Sequence, residues 1–92
     1  MSHTPGPWKL IASNIKQWIV TGKDGAYDIA IVRNICEQED NHANANLIAA
    51  APDLLRRLED LCEGLEGMHL PGSMPLRLRK AQTAIATARG QA

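Results

Sequence analysis

Phenylalanine is absent from this chain, and aromatic side chains make up only 3% of its 92 residues: Trp8, Trp18 and Tyr27. A core built without them depends on Leu, Ile, Val and Ala. A chain of this length has little interior to fill, so residues 1–92 are expected to form a single domain. Ala contributes little buried area, so the thin core is expected to be completed by self-association.

Cysteine is scarce too. Cys36 and Cys62 are too few for a disulfide framework and have no Cys-x-x-Cys spacing for zinc or thiol redox chemistry, so they read as buried thiols. No apolar run approaches the length that spans a bilayer, and no charged-then-apolar leader precedes the first strand, which is the expectation for a cytoplasmic protein. A surplus of either charge is also missing. The 10 Lys and Arg balance the 10 Asp and Glu, leaving no net attraction for nucleic acid or an anionic membrane.

The usual catalytic patterns are not found. His3, His42 and His69 fall in the N-terminal tail, at a helix start and in a loop, without a companion at metal-ligand spacing. Ser13 and Ser73 lack the glycine-flanked elbow of a hydrolase nucleophile, and Ser73 suits a helix cap. Asp24, Asp28, Glu37 and Glu39 sit near turns and a helix start, where carboxylates are normally solvated. No glycine loop is arranged to cradle phosphate. The chain is therefore expected to be non-enzymatic, with no metal and no cofactor.

What is present is a change of period. After the extended Thr4-Pro5-Gly6-Pro7 opening, Trp8, Leu10 and Ala12 alternate about Lys9 as a half-buried strand does. Gln17 to Thr21 carries a Trp-Ile-Val run of high β propensity. Gly22-Lys23-Asp24-Gly25 supplies glycine at both ends of a hairpin loop, where positive φ is expected, and Tyr27 to Ile35 reads as the longest strand. Apolar residues on both of its faces predict that this strand is central.

From Glu37 the period becomes helical. Leu47, Ala51, Leu54, Leu58, Leu61, Leu65 and Met68 alternate steps of four and three residues, the spacing of a heptad seam. Pro52 interrupts it and predicts a kink or short break. His69-Leu70-Pro71-Gly72 is a connection, and Met74, Leu78, Ala81, Ile85 and Ala88 repeat the seam in a second helix. The predicted fold class is α+β: an antiparallel sheet of about three strands (about 7–36) followed by an antiparallel helical hairpin (about 40–90). Acidic residues concentrate between Glu37 and Glu66, whereas Arg77, Arg79, Lys80 and Arg89 follow without an acid, so the two helical segments should attract each other.

The opening Thr4-Pro5-Gly6-Pro7-Trp8, the segment Ala43-Asn44-Ala45-Asn46-Leu47-Ile48-Ala49-Ala50-Ala51-Pro52-Asp53-Leu54-Leu55 and the closing Ala84-Ile85-Ala86-Thr87-Ala88 together resemble a group of small phage and prophage proteins. The resemblance implies an accessory protein of the bacterial host cytoplasm and brings no active-site motif. The sheet followed by two helices is also similar in arrangement to phage proteins that sequester nucleotide immune signals, an analogy of fold alone.

Two sets of residues are candidate sites. Arg33, Asn34 and Asn44 lie at the end of the long strand and in the first turns of the following helix, where free amides and the helix dipole favour an anion. Asn44 falls on the backward extension of the apolar seam, where a buried amide needs a partner. It serves either as a helix-start or register residue or as a reader of a ligand's base or ribose. Leu47, Ala51, Leu54, Leu58 and Leu61 are the candidate homo-oligomer interface. The leading expectation is a phage protein that counters bacterial immunity by sequestering a phosphorylated nucleotide signal. A protein-binding inhibitor of a host protein would instead expose an apolar or acidic patch on the first helix. A structural or regulatory phage component would assemble with other phage chains.

Overall fold

The computed structural model describes residues 3–12, 17–23, 25, 27–33 and 40–91. Three strands, β1 (Lys9–Ala12), β2 (Gln17–Thr21) and β3 (Asp28–Arg33), precede two helices, α1 (Asp40–Leu65) and α2 (Met74–Ala88), so the fold is α+β as expected. The chain divides into two compact units, Thr4–Asp53 and a helical unit that begins at Leu54.

The sheet is antiparallel with order β1-β2-β3. The central strand is therefore β2, and the expectation that the 27–35 segment would be central is corrected. Successive antiparallel strands each pair with their sequence neighbour, so the middle strand in sequence is the middle one in space. The apolar residues on both faces of β3 have a different explanation. Ile31 pairs with Ile19, which pairs with Ile11, and this cross-strand row lies on the open face, with Ile11 and Ile31 both exposed. The alternate row, Leu10, Val20 and Ala30, lies on the covered face, where Val20 is fully buried. Between Val20 and Thr21 the register slips: Val20 faces Ala30 but Thr21 faces Asp28, leaving Ile29 as the extra residue of a bulge.

The β2–β3 loop closes with the Gly22 amide donating to the Tyr27 carbonyl at 3.0 Å and the Gly25 amide to the Gly22 carbonyl at 3.1 Å. Of its two glycines only Gly25 adopts positive φ, +74°, so the expectation of positive φ at both ends holds at one. Tyr27, read as the first residue of the strand, precedes β3 and is exposed. The expected turn at residues 13–16 lies outside the described residues, as does Cys36.

The first part of α1 belongs with the sheet. The His42 ring stacks on Trp18 with centroids 4.2 Å apart and planes 12° from parallel. Trp18 pairs with Ala12 and Val32, on the face that carries Val20, and Ala45 one turn along the helix is fully buried. Of the kink or short break expected at Pro52, the break does not occur: α1 runs through it. The missing amide costs the helix one hydrogen bond to Ile48, and the buried Pro52 ring packs instead against Gly6.

Candidate functional site

The helical unit carries the most open apolar surface. Its turn is set by Gly67 and Gly72, at φ +78° and +58°, values that L side chains rarely adopt. Ser73 stands at the N-cap of α2 as expected but makes no side-chain capping bond; Pro75 in the first turn has no amide that needs one.

Two polar contacts fix the hairpin register. Gln82 Nε2 donates to Glu66 Oε1 at 3.2 Å, and Arg89 Nη2 donates to both carboxylate oxygens of Glu59 at 2.6 and 2.7 Å. As the chain rises from Glu59 to Glu66 on α1 it descends from Arg89 to Gln82 on α2, so the helices are antiparallel. The attraction between the acidic first helix and the basic second one is realised in the Arg89–Glu59 pair. Glu59 thus pairs across the hairpin with α2. Cys62, buried as expected with a free thiol, lines an open cleft of about 400 Å3 between the helices with Glu59, Glu63, Glu66, Gln82 and Ile85.

The seam divides unequally across this hairpin. At about 100° per residue, Leu55, Glu59 and Cys62 share the side of α1 that meets α2, while Leu54, Arg57, Leu61 and Gly64 lie round the other edge of the apolar stripe. Leu58 and Leu65 between them are half-buried. Leu54 and Leu61 remain 53% and 60% exposed, and α2 buries none of its residues. A second helix does not cover the first one's seam.

The predicted interface residues therefore differ among themselves. Leu47, Ala51, Leu54 and Leu61 are exposed and Leu58 is half-buried. Only part of the predicted ligand cluster falls among the described residues. Arg33 is the last residue of β3, Asn34 lies outside the described residues, and Asn44 stands on α1 with its side chain exposed. Within the single chain its amide needs no buried partner: Asn44 shares the exposed stripe of Leu47 and Ala51, and Ala45 takes the inward position. Sequence reasoning missed the Trp18–His42 stack, because a helix-start histidine and a strand tryptophan carry no shared spacing signal.

Among the described residues, no group of His, Cys, Asp or Glu is placed to hold a metal ion, and no helix is long and apolar enough to cross a membrane. No curated protein and no solved structure matches the chain. The match is to a family profile described as Salmonella phage P22 protein Y8K6, which covers residues 1–92. The chain belongs to that family and is a small phage protein.

Proposed function

We propose that this phage protein is a non-enzymatic binding protein of the bacterial cytoplasm that works by protein association through its helical hairpin. The observation that carries this reading is the exposure of Leu54 and Leu61 beside a second helix none of whose own residues is fully buried. Such a leucine stripe is an unusual surface for a finished monomer. The test is affinity capture from lysate of infected cells with the unmodified chain and with a Leu54→Asp/Leu61→Asp variant whose helicity is checked by circular dichroism. The unmodified chain should retain a protein that the folded variant loses. Equal retention by both would remove the hairpin face from the function.

Sequestration of a phosphorylated nucleotide is a second reading, favoured by the exposed amide of Asn44 in the first turns of α1. In it Arg33 holds phosphate while Asn34 and Asn44 read base or sugar. Arg33→Ala should then weaken binding by about 1.5–3 kcal/mol while leaving the fold intact. Calorimetry against cyclic and ADP-ribose-type nucleotides decides it, since no heat from the unmodified chain with any of them leaves the protein-binding reading alone.

A further inference from the structure

We infer that the occupant of the open edge of α1 is a second copy of this chain, paired antiparallel through α1 about a two-fold axis between Leu58 and Glu59. The inference rests on the binding reading above and names its partner.

The edge is self-complementary in shape. Leu54 and Leu61 project from it at the seven-residue interval that lets one helix follow another. Gly64 lies on the same edge, and a Cβ built there meets nothing within 4 Å. Under the proposed axis Leu54 of each copy sits over Gly64 of the other, where the bare backbone admits close approach, and Leu61 reaches the half-buried Leu58 of the other copy. An axis of this kind makes each contact twice.

The edge is self-complementary in charge as well. Arg57 and Asp60 are exposed and make no ion pair among the described residues. Antiparallel pairing about that axis sets Arg57 of one copy level with Asp60 of the other, and Asp60 with Arg57. A parallel arrangement in register would oppose like charges. The hairpin leaves this edge free, because Glu59, Cys62 and Glu66 occupy the side toward α2.

Sedimentation equilibrium of the purified full chain tests the inference. The unmodified chain should dimerise at micromolar concentration. Arg57→Glu should weaken the dimer by roughly tenfold or more, because it places two carboxylates against each other at both ends, and Arg57→Glu/Asp60→Arg should restore it. Gly64→Arg should also weaken pairing while raising helicity, since the single chain has open space there and glycine is a poor helix former. A chain that stays monomeric throughout the micromolar range overturns self-pairing. Capture of a host protein dependent on Leu54 and Leu61 would in that case still uphold the binding reading. A dimer indifferent to both Arg57→Glu and Gly64→Arg overturns this geometry.

Discussion

A Cβ on Gly6 would lie 3.0 Å from both Cβ and Cγ of Pro52. The proline that interrupts the helical seam is thus the surface against which the N-terminal segment closes, and two stretches distant in sequence, the Thr-Pro-Gly-Pro-Trp opening and the Ala-Ala-Ala-Pro run, meet at one contact. Trp8 reinforces the segment by donating its Nε1 proton to the Thr4 carbonyl at 3.0 Å.

Gly6→Ala should destabilise the protein. The added methyl is opposed by a ring held on a helix, which has little freedom to give way, and overpacking of this kind costs about 1–3 kcal/mol. The loss of chain freedom in the unfolded state offsets only about 0.4–1 kcal/mol. Urea denaturation should show a lower midpoint, and an unchanged or higher one would mean that the segment moves off Pro52 without cost.

Arg89 and Glu59 should couple weakly. Their side chains are 34% and 31% exposed, so solvent screens the pair and its worth is at most about 1 kcal/mol despite the good geometry. A double-mutant cycle with Arg89→Ala and Glu59→Gln should return a coupling energy of about 0.5 kcal/mol at low salt, declining in 0.5 M salt on the order of the Debye screening. Strict additivity would mean that the pair does not hold the hairpin in solution.

His42→Ala should be visible in tryptophan fluorescence. The stacked imidazole covers one face of the Trp18 indole, and an aromatic pair of this kind contributes about 0.5–1.5 kcal/mol. The variant should show a changed emission maximum or intensity and a stability lower by about that amount. An identical spectrum and midpoint would rule out the stack.

Leu58→Asp should behave differently from substitution on the open edge. Leu58 is half-buried, so an aspartate there loses part of a leucine's burial, worth about 1–2 kcal/mol, and adds the desolvation of a carboxylate with no cation arranged to meet it. Measured below the concentration at which the chain pairs, helicity by circular dichroism should fall at a lower temperature than in Leu54→Asp, whose carboxylate points to water in the single chain. Equal melting of the two would place Leu58 on the same open surface as Leu54.

The element order was legible in the chain itself, because it depends on local signals. Alternation about Lys9, the β-rich run from Gln17, the glycines of the β2–β3 loop and the four-and-three spacing of leucines each act within a few residues. The hairpin turn at Gly67 and Gly72 is of the same kind. Pro52 shows the limit of such rules: a local penalty left a kink and a break both open, and the helix continues, with Pro52 packed against Gly6.

Tertiary structure alone decided which apolar residues are interior. Period cannot distinguish Ile31 on an open face from Val20 on a covered one, nor Leu54 at the free edge of a seam from Cys62 under the second helix. Both outcomes depend on which element arrives from elsewhere in the chain. For the same reason the place of β2 at the centre of the sheet, the exposure of Asn44 and the partnership of Glu59 with Arg89 followed from the tertiary arrangement, which no pattern within a few residues specifies.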